Sequence, residues 1–211
     1  MPIETSARPF LPSRMNLSAL REAAAKCRGC ELYKNATQTV FGMGPRCADL
    51  MLVGEMPGDG EDLAGKPFVG PAGKLLDEAL EESAIDRRRV YVTNAVKHFR
   101  WEPHGKRRLH KKPSSRQVTA CKPWLQAEIR VVEPRLILCL GATAALSLLG
   151  SKFRLTQHRG ELVPNEWGTH VMATYHPSAI LRAPDKADRD RKRHEFVEDL
   201  RYAAQHLQSE S

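Results

Sequence analysis

Apolar residues in this chain fall into two patterns. Residues 49–53 (Asp-Leu-Met-Leu-Val), 90–93 (Val-Tyr-Val-Thr) and 135–140 (Arg-Leu-Ile-Leu-Cys-Leu) are short, nearly unbroken apolar runs, as expected of strands covered on both faces. His170–Thr174 reads as a fourth. Between them the apolar spacing turns helical, over 72–83, Ser115–Val132, Ala142–Leu149 with Gly150 at its end, and 188–207. An earlier helix is predicted from Leu17, Leu20, Ala24 and Cys27 on one face, with Asn16 or Ser18 as its N-cap. Strands alternating with helices predict an α/β fold: a three-layer α/β/α sandwich around a four-stranded, mainly parallel sheet. Ligands of such sheets bind beyond the carboxyl ends of the strands. The residues that follow the four runs are Gly54-Glu55-Met56-Pro57-Gly58, Asn94, Gly141 and His176, so one pocket is expected there.

With 211 residues and 41% hydrophobic content, the chain suits one domain, placed at 16–211 behind a flexible leader at 1–15 that has prolines at 2, 9 and 12. No stretch reaches the 18 or so apolar residues of a membrane span, and the N-terminus lacks the basic and apolar regions of a secretion signal. A cytoplasmic monomer is expected, placed with the chromosomal DNA. Five cysteines, an odd and scattered set, argue against a disulfide framework. The net charge of +8 says little alone, but Lys97, Arg100, Lys106, Arg107, Arg108, Lys111, Lys112 and Arg116 face a single acid, Glu102, within one stretch. That local field suits phosphates.

Three constellations carry chemistry. Residues 54–73 form a Gly- and Pro-rich segment with four carboxylates and one aromatic, Phe68; a ligand loop and a plain surface loop are the two readings. Cys27-x2-Cys30 is ambiguous among zinc, redox and iron–sulfur roles. His176-Pro177-Ser178 is either a functional imidazole or a turn cap.

The loop at 54–73, Tyr91-Val-Thr-Asn94 and His176-Pro-Ser178 resemble, in order, the signature motifs of the family 4 uracil-DNA glycosylases. That resemblance implies a DNA-repair enzyme of base excision, acting on uracil-containing DNA, single strands included, and releasing uracil. Phe68 would stack on the flipped base, Asn94 would pair with N3–H and O4, and His176 would hydrogen-bond O2 as the base departs. Glu55 and Asp59 would stabilise the sugar cation or orient its attacker, and Arg182 would meet a phosphate. The family also implies a [4Fe-4S] cluster, here held by Cys27, Cys30, Cys121 and, where relatives have a third cysteine, His98; a cluster on three cysteines with His98 free is the competing arrangement. Cys139 reads as core and Cys47 as a spare thiol.

The basic stretch after His98, an inserted loop at 99–113, resembles the Arg-Arg-Ile-His insertion of the UdgX subgroup, an assignment strengthened by residues 66–73, 94–98 and 156–160. The resemblance implies that His110 bonds covalently to C1′ of the deoxyribose after uracil leaves, with Glu55 orienting the ring and Arg107, Arg108, Lys111 and Lys112 keeping it neutral. His104 is the rival histidine in the loop. Met56 stands where that subgroup carries Gln, which puts a substrate contact by its side chain in doubt. Two other functions compete: a hydrolytic glycosylase of many turnovers, and a non-catalytic iron–sulfur DNA-binding protein, which would not require Glu55, Phe68, Asn94 and His176 together.

Overall fold

A computed structural model describes residues 5–167 and 169–209. Its central sheet is built from β1 (Leu50–Gly54), β2 (Val90–Asn94), β5 (Leu136–Leu140), β6 (Val163–Pro164) and β7 (His170–Thr174), in the order β2-β1-β5-β7-β6. The four expected strands are all parallel. The two-residue β6 adds a fifth, antiparallel edge strand, too short to leave a periodic signal.

Because successive side chains of a strand point to opposite faces, each apolar run supplies two layers. Leu50, Leu52, Val90, Val92, Leu136, Leu138 and Met172 meet α3 (Pro71–Glu82), α7 (Pro177–Leu181) and α8 (Lys186–Ser209) through Leu76, Leu80, Ile180, Phe196 and Leu200. Met51, Val53, Tyr91, Ile137, Cys139, Val171 and Ala173 face α4 (Ser115–Val132) and α5 (Ala142–Leu149) through Leu125, Ile129, Val132, Ala144 and Ala145. Full burial of each such aliphatic chain contributes about 1.5–3 kcal/mol. α1 (Leu17–Ala24), capped by the Asn16 side chain on the Ala19 N–H, packs with α4 in a separate apolar cluster.

Three details depart from the sequence expectation. Part of the leader is packed: Ala7 is buried, its N–H donates to the Ala120 carbonyl at 2.7 Å, and Phe10 and Leu11 pack beside it, while Arg14 and Met15 are exposed. Gly29 makes this approach possible, since a Cβ there would lie 2.7 Å from the Ser6 carbonyl oxygen and 2.8 Å from Ala7. Residues 59–64, inside the Gly-rich loop, form the short helix α2 (Asp59–Ala64). The inserted basic segment is an antiparallel hairpin, β3 (Trp101–His104) and β4 (Arg107–His110), turning at Gly105 with φ +59°. One more short helix, α6 (Leu155–His158), precedes β6.

Candidate active site

Parallel pairing places Gly54 beside Asn94 at the carboxyl ends of β1 and β2. A cavity of about 500 Å³ opens over these ends, lined among others by Glu55, Met56, Asp59, Phe68, Asn94, Thr143, Tyr175, His176, Arg182 and, from the hairpin, His110 and Lys112. Residues expected to form the site from five separate stretches of sequence therefore share one concavity, of a size suited to a small ligand.

Its floor is tightly determined. A Cβ on Gly54 would lie 2.3 Å from Asn94 Oδ1 and 2.8 Å from the Phe68 ring, and one on Gly73 would meet the Phe68 carbonyl oxygen at 1.8 Å. Phe68 itself has φ +56°, a left-handed conformation that costs a bulky residue about 1–3 kcal/mol and that its surroundings must impose. Glu61 does so in part: its carboxylate accepts the Gly58 N–H at 2.7 Å and the N–H groups of Phe68 and Val69. Nothing in the local sequence pattern singles out Glu61 among the four acids of that segment.

Two polar groups point to what the cavity holds. Asn94 is 2% exposed, and its Nδ2 has no hydrogen-bond partner among the described residues. A buried orphan donor costs about 1–3 kcal/mol, so a ligand acceptor is the expected complement. His176 accepts the Ser178 N–H on Nδ1 at 3.1 Å, which leaves the proton on Nε2. Burial, joined by the Arg182 and His110 charges, drops the pKa of His176 to about 4, so at neutral pH it is an uncharged N–H donor. Its ring stacks with Phe68 at a centroid distance of 6.1 Å and 27° between planes. Arg182 donates to Ser178 Oγ at 3.0 Å and completes this edge.

In the same cavity His110 Nε2 stands 3.7 Å from Glu55 Oε1, while Thr143 Oγ1 donates to Glu55 Oε2 at 2.5 Å. Thr143, at the start of α5, carries no local signal that would select it from sequence. The pKa of His110 lies below the usual histidine value, chiefly through burial, with Glu55 opposing and Arg182 assisting. The cation responsible is thus Arg182 rather than the hairpin's own arginines and lysines. Arg108 turns inward, with Nε 2.5 Å from Asp59 Oδ1 and Nη1 2.6 Å from Asp62 Oδ2, and its guanidinium lies over Phe99 and Trp101. It fastens the hairpin, and Asp59 is engaged in that ion pair. Lys111 pairs with Glu102 at 2.9 Å, and Arg107 is exposed near the hairpin turn. Met56 is 5% exposed and packs with Phe99, so it supplies an apolar wall.

Cys27, Cys30 and Cys121 are buried in one apolar cluster. The Trp124 Nε1–H and the Gly29 N–H donate to Cys27 Sγ at 3.2 and 3.4 Å, and the Lys97 N–H donates to Cys121 Sγ at 3.3 Å. Donors aimed at sulfur lower a thiol pKa, but burial outweighs them, raising Cys30 and pushing Cys121 up to about 12, so the metal-binding thiolate form needs a cation beside it. His98 is buried and its Nε2 contacts Thr39 Oγ1 at 2.9 Å; because that hydroxyl donates to the Ala24 carbonyl, Nε2 carries the ring proton and Nδ1 keeps its lone pair. His98 and Cys27 line a common cavity. The donor types thus suit a thiolate-bound cluster, although among the described residues no three His, Cys, Asp or Glu side chains are gathered at metal-binding geometry. Cys139 is buried in the core, and Cys47 is exposed.

Residues 41–201 match the Uracil DNA glycosylase superfamily. The chain is 40% identical over 169 residues to a type-4 uracil-DNA glycosylase of Thermotoga maritima, covering 79% of this chain and 83% of that one. It is 36% identical over 177 residues to a type-4 enzyme of Pyrobaculum aerophilum, with 81% and 87% covered. A type-4 enzyme of Archaeoglobus fulgidus is 38% identical over 165 residues, with 75% and 79% covered. A family match over three quarters of the chain, with the pocket residues inside it, means that this protein belongs to the uracil DNA glycosylase superfamily.

Proposed function

We propose that this uracil-DNA glycosylase excises uracil from DNA and then becomes covalently linked, through His110, to C1′ of the sugar it has exposed. Uracil enters with Phe68 against its face; the orphan Nδ2–H of Asn94 donates to O4, and Oδ1 accepts N3–H, a pattern that cytosine reverses. As the C1′–N1 bond breaks, its electron pair leaves with the base, and the Nε2–H of His176 stabilises charge at O2. The deficient C1′ takes the lone pair of a ring nitrogen of His110. The proton on the other nitrogen is released by way of Glu55, and the departed uracil anion takes up a proton, so the sum is uracil plus a neutral alkylated imidazole.

The observation that carries this reading is the position of His110: it lines the uracil cavity beside Glu55, with its pKa lowered so that the lone pair is free at neutral pH. The adduct persists because an imidazole anion is a far poorer leaving group than a uracil anion. Arg108 acts as a latch on the hairpin that presents His110, while Arg182, Lys112 and Arg107 offer cations to the phosphates around the flipped nucleotide.

Cys27, Cys30, Cys121 and, through Nδ1, His98 would hold a [4Fe-4S] cluster, which would tie α1 to α4 and to the segment after β2. Base excision transfers no electrons, so the cluster's contribution is structural.

Incubation with uracil-containing single-stranded DNA, followed by a denaturing gel, tests the proposal. A shifted protein–DNA band that His110→Ala abolishes is expected. Free abasic strand in multiple turnovers, with no shifted band, would establish the hydrolytic alternative.

A further inference from the structure

We infer that Lys97 is a positioning residue for uracil recognition: with Glu128 it fixes the backbone of Asn94 from inside the protein. This rests on Asn94 being the group that reads uracil, and it adds the device that holds it.

Lys97 and Glu128 are both fully buried and form an ion pair. Lys97 Nζ also donates to Thr93 Oγ1 at 2.6 Å and to the Asn94 backbone carbonyl at 2.7 Å. Glu128, on α4, receives the Tyr91 and Thr93 hydroxyls, both at 2.9 Å, and the Gly42 N–H at 3.1 Å. All three donors of the ammonium and most acceptor positions of the carboxylate are therefore occupied, as a buried charged pair requires.

The position of this network is informative. At Asn94 the chain leaves the sheet: the Ala95 and Val96 N–H groups bond to the Gly54 and Glu55 carbonyls, and the chain then bends so that Lys97 returns to the carbonyl three residues earlier. The Asn94 side chain has no hydrogen bond from Nδ2 to hold it before a ligand arrives. Its aim is set by its backbone and by the close approach of Gly54. A buried ion pair is a weak source of stability compared with apolar residues of the same volume, but it fixes direction, and here that direction is applied to the base-reading residue. None of these side chains lines the cavity, so they act through Asn94.

The test compares K97M/E128Q with E128Q. The double variant removes the Nζ bond to Asn94 without leaving a buried carboxylate unpaired, whereas E128Q retains Nζ but takes away the carboxylate that holds it. Inhibition by free uracil, affinity for a uracil-free single strand and thermal melting are measured for each. K97M/E128Q should be inhibited by uracil about tenfold more weakly than wild type, the scale of one lost hydrogen bond, with uracil-free strand binding unchanged; E128Q should lie between the two. T93V, which removes one acceptor of Nζ without disturbing charge, should weaken inhibition in the same direction and carries the test if the double variant does not fold. A folded K97M/E128Q or T93V inhibited as strongly as wild type overturns the inference. A wild-type protein that excises uracil yet is indifferent to free uracil would overturn the pocket reading itself.

Discussion

Gly54 is a residue at which the site tolerates little change. It lies at the end of β1 opposite Asn94, and the smallest side chain would enter the space of Asn94 Oδ1 and the Phe68 ring together. Gly54→Ala should leave the fold intact, because the displaced groups border a cavity, but it should move both uracil-contacting groups. Misplacement of about 1 Å costs on the order of a hundredfold in rate, so single-turnover excision should fall by about that factor with little change in melting temperature; excision within about twofold of wild type would show that the pocket floor is softer than its geometry implies. At this scale much of the site is legible in sequence. Glu55, Asn94 and His176 follow apolar runs whose ends converge by the logic of parallel sheets, and Phe68 is the one aromatic of the Gly- and Pro-rich segment after the first run. Glu61, Thr143 and Lys97 are not legible, because each works through a partner brought near only by folding.

Among the elements, the β3–β4 hairpin distinguishes the site's chemistry from pocket binding alone. Its sequence hides its structure. Pro103 and the run of cations obscure the strand alternation, leaving the Gly105 turn as the one local signal. The latch is entirely non-local, because Arg108 meets acids 46 and 49 residues earlier in the chain. Arg108 is expected from its sequence context to contact DNA; Asp59 and Asp62 take it instead. Arg108→Ala should cost about 3 kcal/mol of stability, because it leaves the buried Asp62 carboxylate without its cation. It should also loosen His110 while sparing Asn94, Phe68 and His176. The expected result is continued uracil excision with a smaller share of events ending in adduct, read as the ratio of shifted band to free abasic strand. Parallel loss of excision and adduct would mean that the hairpin organises the whole pocket rather than His110 alone.

At the scale of the whole molecule, burying neutral histidine links folding to pH. The usual histidine value is 6.5 and that of His176 in the fold is about 4. Between these values the unfolded chain binds a proton that the folded chain excludes, so the contribution is complete above about pH 6.5 and is lost as pH falls toward 4. Denaturant midpoints should therefore drop on acidification, by an amount corresponding to on the order of 3 kcal/mol from this group, and His176→Gln should lose less than wild type over the same window. Equal losses in the two proteins would place the acid sensitivity elsewhere. The sheet order and the two apolar faces follow from the strand runs almost directly, since alternation within each run supplies both layers. The packed part of the leader does not, because Ala7, Phe10 and Leu11 meet their partners only on folding and Gly29 must admit the close approach.

The central claim is a bond between His110 and the sugar. It is tested most directly by digesting the product of reaction with uracil-containing DNA, using protease and nuclease, and sequencing the peptides by mass spectrometry. A deoxyribose-derived addition on the peptide containing His110, located at that imidazole, is expected, with an equal amount of uracil released. Stoichiometric uracil release with the His110 peptide unmodified, or an addition located on His104, would contradict it.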